Sequence, residues 1–309
     1  MPGAFAHITA ANSAFAGSNN LDKIDIPNRA RLILSQNIKF AELGCVSPDY
    51  PYLVLGNSAQ NKWADLMHYE RTGELVKSFA RRCKEMEGKA QEKVFAWLCG
   101  YVSHVIADIT IHPVVEIKVG EYEHNKSNHR TCEMNQDTYI WQRLKLGQIG
   151  LADRVKSNIG DCIDHNGNID ADIQSTWEAG LFEIHADYAN EARPEMNDWH
   201  SGFQTVVDNV EEGYRRLFKW ARHVSAALGS GLHYPTPDEL EMIYVEDLDT
   251  PNGKMHYDDI FDLAVTNIQR YVGYIGQYVF ADGSLDEFKN WNLDNGKDEN
   301  QELTAWLRY

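Results

Sequence analysis

One stretch constrains this chain more than any other: KAQEKVFAWLCGYVSHVIADITIH, residues 89–112. Past its charged start it is apolar nearly all round, the pattern of a helix buried on every side. Pro113 follows at once and is expected to end or bend it. Within the apolar run stand His104, Asp108 and His112, spaced four apart. Two four-residue steps drift only about 80° around a helix, so the three side chains share one face. The rise from His104 to His112 is about 12 Å. One ion, with ligand bonds of about 2 Å, cannot readily span that distance. Asp108 lies between, and its two oxygens can serve two ions. A hydrogen-bonded core histidine is the ordinary alternative for any one of these residues. Burying all three without partners is costly, so the trio points to a site for more than one metal.

A further pair, His129 and Glu133, occupies i and i+4 of NHRTCEMN. Alone it reads as an exposed helix pair. Beside the trio it supplies the missing half of a centre, giving a His/His/Glu set of the kind that holds zinc with one position open. Asp49 sits between prolines in CVSPDYPY and His68 lies in WADLMHYERTG. Taken singly they read as a turn carboxylate and a surface or interfacial histidine. Asp65 is placed either to orient the His68 ring or to face solvent. His124 is an alternative to His112 for the second set. His165, in CIDHNGNID, has acidic neighbours but lacks EF-hand spacing and reads as a solvated turn.

The rest of the chain reads as helical. Residues 19–44 place Ala30, Ile33, Leu34, Ile38 and Ala41 on one side of a helix ending near Gly44, with Pro27 tolerated near its first turn. VSPDYPYLVLG reads as a loop, 59–82 as helix with a break at Gly73, GEYEHNKSNH as loop, and 129–145 as helix. Residues 146–176 are weakly patterned. Helices are expected at 177–188, 200–228 and 257–280, with a long loop and a short strand around LHYPTPDELEMIYVEDLDTPNG. A soft boundary falls near 228–255, but one all-α domain over 1–309 is the preferred organisation.

Charge narrows the function classes. Acidic residues number 46 and basic ones 29, a net charge of −17. Stable duplex nucleic-acid binding is therefore not expected, nor is broad affinity for an anionic membrane. A phosphate substrate stays compatible, because bound metal reverses the local sign. Apolar stretches look interrupted by charge before 18 residues, so no membrane-spanning helix is expected. MPGAFAHITAANSAFAG lacks the basic start of a signal peptide. The five cysteines are scattered without a CxxC and read as free thiols. A cytoplasmic location is the expectation, with export by a signal-independent route left open.

Together these motifs resemble the zinc-dependent phospholipase C family, related in fold to the S1/P1 nucleases. The matching segments are AFAHITAA around His7, ELGCVSPDYPY around Asp49, MHYERTG around His68, GYVSHVIADITIHP and NHRTCEMN. They run in the family's order within residues 1–145. The resemblance implies an all-α, multi-helix fold with two to three zinc ions clustered between helices. By that likeness one zinc takes Asp49, His68, His104 and Asp108, and a second takes His112, His129 and Glu133. A third takes His7, Asp108 and the N-terminal backbone, with Met1 where the family's secreted enzymes expose a processed tryptophan.

The implied reaction is phosphoric ester hydrolysis by metal-activated water, with Asp49 orienting or deprotonating it. A glycerophospholipid substrate, met in transient contact with a membrane surface, is the first expectation. Tyr50, Tyr52, Trp63 and Tyr69 lie near ligand positions, as headgroup contacts or as packing aromatics. The alternatives are a P1-like single-strand nuclease or 3′-nucleotidase, and a metal-stabilised scaffold without catalysis. No G-x-S-x-G, phosphate-binding glycine loop or dinucleotide fingerprint competes with this reading.

Overall fold

The apolar run becomes the middle of helix α7 (Gly88–Val119) in a computed structural model that describes residues 4–54, 56–144, 158–208 and 235–307. Every residue from Val94 to Val115 is buried. Helix α7 is in fact long and apolar enough to cross a membrane, because Asp108 alone among Asp, Glu, Lys and Arg interrupts its middle; that window lies wholly inside the fold. Pro113 does not end it. The proline removes the N–H that would bond the Ile109 carbonyl. The C-terminal chain covers this point: the Trp306 indole donates to Thr110 O at 3.2 Å, and Gly296 packs on Pro113 and Ile109 O.

Around α7 pack α1 (Ala4–Phe15), α3 (Asn28–Gln36), α4 (Ile38–Val46), α6 (Thr72–Glu85), α8 (Tyr122–Arg143), α9 (Ala171–Ile184) and α12 (Tyr257–Phe280). The short α2 (Ser18–Leu21) precedes α3, and α5 (Ser58–Tyr69) precedes α6. Helices α10 (Ala186–Glu191) and α11 (Met196–Asp208) follow α9. A two-stranded antiparallel hairpin, β1 (Leu248–Thr250) and β2 (Gly253–Met255), pairs Leu248 with Met255 and supplies the expected strand.

Helices α4 and α7 approach closely. A Cβ on Gly44 would lie 2.0 Å from Trp97 O, and one on Gly100 only 1.9 Å from Ala41 O. Glycine at both positions lets the two backbones touch, which brings the turn after α4 against the His104 face.

Several boundaries differ from the sequence expectation. Residues 19–44 are not one helix, because Asn37 leaves helical geometry (φ −120°, ψ 28°) and bonds Ile33 O through its side chain. The stretch VSPDYPY does not stay irregular; Ser47–Leu53 is a buried 3₁₀ helix. The break between α5 and α6 falls at left-handed Arg71, while Gly73 lies inside α6 against the Lys289 backbone. Residues 122–129, expected as loop, form the first turns of α8 with a kink at Asn125. There the Tyr122 ring packs edge-on against His129 of the same helix. Helix α9 begins at Ala171, earlier than expected. The expected helix 200–228 begins at Met196 as α11, and its part beyond 208 lies outside the described residues, as do 145–157. All five cysteines are free and buried.

Candidate metal centre

Helix α7 presents His104, Asp108 and His112 inward on one face, as the spacing requires. His104 Nε2 lies 3.2 Å from Asp108 Oδ2, and His112 Nε2 lies 3.8 Å from Asp108 Oδ1. The neighbouring elements bring the other donors. From α1, His7 Nε2 reaches 3.3 Å from Asp108 Oδ1. From the 3₁₀ helix and the end of α5, Asp49 Oδ1 and His68 Nε2 meet at 3.4 Å. His68 Nε2 is also 3.3 Å from His104 Nε2. From α8, Glu133 Oε1 comes to 4.0 Å from His112 Nε2.

Among the described residues two groups gather their donor atoms within 4.8 Å: His7, His104 and Asp108, and Asp49, His68 and His104. His104 belongs to both. His112 and Glu133 approach each other beside them, while His129 joins neither group. Met1 lies outside the described residues. The eight candidates from His7 to Glu133 are each no more than 2% exposed.

Backbone carbonyls fix the rings. His68 Nδ1 donates to Ala64 O at 2.6 Å, His104 Nδ1 to Cys45 O at 2.9 Å, and His112 Nδ1 to Leu293 O. A carbonyl only accepts, so each ring carries its proton on Nδ1 and aims the Nε2 lone pair inward. His129 is reversed: its Nε2 donates to Gly120 O at 2.6 Å, which leaves its lone pair on Nδ1.

The donor set fits zinc. Both oxygens of Asp49 and Asp108, both ring nitrogens of His7, and His112 Nε2 are buried without a hydrogen-bond partner. A cluster of buried, unsatisfied nitrogens and carboxylate oxygens is costly on its own and suits a dication of this ligand preference. The electrostatics agree. Burial works against ionising Asp108 and Asp49, yet the surrounding imidazoles hold both carboxyls below their usual range. Burial drives His112 down to about 3 and raises Glu133 to about 7. At the pole beyond Asp108, a neutral imidazole therefore faces a carboxyl that titrates near neutrality.

Some expected participants are elsewhere. Asp65 does not orient His68; it accepts from Tyr52 Oη at 2.6 Å. Tyr50 is buried against Trp177, His200 and Phe203, and Trp63 donates to Ala192 O, so both are packing residues. The rings of Tyr52 and Tyr69 flank His68 at 6.2 and 6.3 Å. His124 is exposed, and so is His165, in a turn closed by Asn166 and Asn168 N–H groups on Asp164. Sequence reading missed the carbonyls of Ala64, Cys45, Gly120 and Leu293, which carry no side-chain signal.

Comparison with curated proteins and with solved structures gives no match. The family model for zinc dependent phospholipase C matches residues 6–193, a span that contains every candidate ligand from His7 to Glu133. A matched span of that extent, with its histidines and carboxylates converging between helices, makes the chain a zinc-binding hydrolase that belongs to the zinc-dependent phospholipase C family.

Proposed function

We propose that the protein is a phospholipase C that hydrolyses a glycerophospholipid to diacylglycerol and a phosphorylated headgroup. The observation that carries this reading is the pair of donor groups sharing His104 around Asp108. Asp49, His68, His104 and Asp108 would hold one zinc, and His112, His129 and Glu133 a second. His7 and Asp108, with the Met1 backbone, would hold a third. Bound zinc supplies Lewis acidity toward a phosphoryl oxygen and lowers the pKa of water toward about 7.

The protein's own groups do the rest. Asp49 stays ionised at neutral pH, because the His104, His68 and His7 rings outweigh its burial. Its carboxylate orients the attacking water and receives its proton. The water oxygen bonds to phosphorus, the phosphorus–glycerol oxygen bond breaks, and the glycerol oxygen takes up a proton. Asp108 directs its two oxygens toward the separate positions that the Nε2 atoms of His7 and His104 face. Tyr52 and Tyr69, whose rings flank His68, would contact the headgroup. With a net charge of −17, contact with an anionic membrane is transient.

The test is a product assay of zinc-loaded protein on phospholipids, single-stranded DNA, RNA and 3′-nucleotides. Diacylglycerol release is the expected result. Nucleic-acid cleavage without lipid turnover would establish the nuclease reading instead, and absence of all ester hydrolysis would establish a scaffold.

A further inference from the structure

We infer that the C-terminal turn Trp291–Asp298, which lies beyond the matched family span, positions His112 for metal binding through the backbone of Leu293. This rests on reading His112 as a zinc ligand. Leu293 is fully buried and uses both of its peptide groups at the centre. Its carbonyl accepts the proton of His112 Nδ1, and its N–H donates to His68 O at 2.9 Å. One residue thus joins the α7 ligand at one pole to the end of the helix that carries His68.

The turn is built to hold that residue still. Asn292 N bonds Lys297 O at 2.8 Å and Gly296 N bonds Asn292 O at 2.9 Å, closing it on itself. Thr72 clamps its start, donating to Trp291 O at 2.9 Å and accepting from Trp291 N at 2.8 Å. Tyr69 Oη donates to Asp294 Oδ2 at 2.7 Å. Gly296 sits at φ +72° against α7, where a Cβ would fall 2.6 Å from Pro113 Cγ and 2.7 Å from Ile109 O. The face of α7 at Pro113, where one backbone N–H is missing, is the seat on which the turn rests.

The consequence is specific to one pole. The His68 ring is held by Ala64 O of its own helix, and the His104 ring by Cys45 O of the neighbouring α4 within the matched family span. His112 takes its orienting acceptor from a residue 181 positions away. Without Leu293 O, nothing fixes the His112 proton on Nδ1, and the Nε2 lone pair facing Asp108 and Glu133 is no longer assured. Leu293 is accordingly a positioning residue for His112 alone among the three.

The experiment combines nitrogen-15 histidine NMR of the metal-free protein with zinc titration against a competing chelator. In the natural protein His112 is expected as the Nδ1–H tautomer. Gly296→Ala and Thr72→Val should each weaken or lose that resonance. They should lower zinc affinity at the His112 pole 10- to 100-fold while the Asp49/His68/His104 group keeps its metal. Thr72→Val adds no bulk and serves if Gly296→Ala does not fold. An Nε2–H tautomer in the natural protein would overturn the inference. So would unchanged zinc affinity in a folded variant that has lost the His112 resonance. Failure of the natural protein to take up zinc at all would instead remove the reading of His112 as a ligand, a separate outcome.

Discussion

The imidazoles of His7 and His104 stack face to face, centroids 4.0 Å apart and 11° from parallel, and address opposite oxygens of Asp108. Two rings so placed cannot both carry a second proton. Burial, and next the presence of His104, lower the pKa of His7. Burial also disfavours charge on His104, but Asp108 and Asp49 raise it in balance. The stack is therefore a pair of lone-pair donors held apart by one carboxylate, an arrangement suited to neighbouring cations.

Asp108→Asn tests that carboxylate. The amide keeps the shape but removes the charge and one acceptor, so zinc should be lost from the group with His7 and weakened in the group with His68. Turnover should fall about 100-fold or more, since metal electrophiles contribute several kcal/mol to such reactions. Elemental analysis after gel filtration, with exposed His165→Ala as the unchanged control, checks the metal loss.

Much of this centre was legible because a helix is periodic. The fourfold spacing of His104, Asp108 and His112 fixes a shared face and separates the end residues, and the structure keeps both properties. The family likeness added His7, Asp49 and His68, which no periodicity links to α7. The orienting carbonyls stayed hidden because every residue has one, and only the fold selects Cys45 and Leu293. Tyr50 was misleading for a related reason: adjacency to Asp49 in sequence says nothing of direction, and its ring turns into the Trp177 and Phe203 core. Likewise the polar segment 122–129 is helical, with a kink at Asn125 and the Tyr122 ring against His129, neither of which composition shows.

Glu133 gives the centre a pH dependence. With its pKa raised to about 7 by burial, zinc must displace a proton there below neutrality. Uptake at the His112 pole should strengthen with pH, approaching tenfold per unit below about 7 and levelling above it. In the metal-free protein the sign is opposite for stability. A raised carboxyl contributes stability that is complete below its ordinary 4.5 and lost as pH rises through 7. Glu133→Gln should therefore stabilise the chelated protein at pH 8 but not at pH 4. It should also remove the Glu133 share of the proton release that calorimetry would record on zinc binding below about pH 7.

Acid acts through histidines outside the centre as well. His200 is 1% exposed beside the Tyr50 and Phe203 rings, and burial lowers its pKa to about 4. A depressed pKa contributes stability that is present above about 6.5 and is lost as pH falls toward 4. The contribution is on the order of 3 kcal/mol. His200→Gln in chelator-treated protein should flatten the urea midpoint's dependence on pH between those limits by one proton. A slope equal to that of the natural protein would show that His200 is not the group titrating.

The α4–α7 contact links stability to the metal centre. A methyl at Gly100 would meet Ala41 O at 1.9 Å, a backbone atom that cannot rotate away. The helices must then separate, at a cost of about 1–3 kcal/mol or more for overpacking. Cys45, which follows Gly44 on α4, carries the carbonyl that fixes His104, four residues beyond Gly100 on α7. Separation therefore pulls the acceptor from the ring shared by both donor groups. Gly100→Ala should lower the melting temperature by several degrees and reduce zinc affinity in the same protein. Gly160→Ala, where a Cβ meets nothing within 4 Å, should change neither. A Gly100→Ala protein that melts early yet binds zinc normally would show that His104 keeps its orientation without the close helix contact.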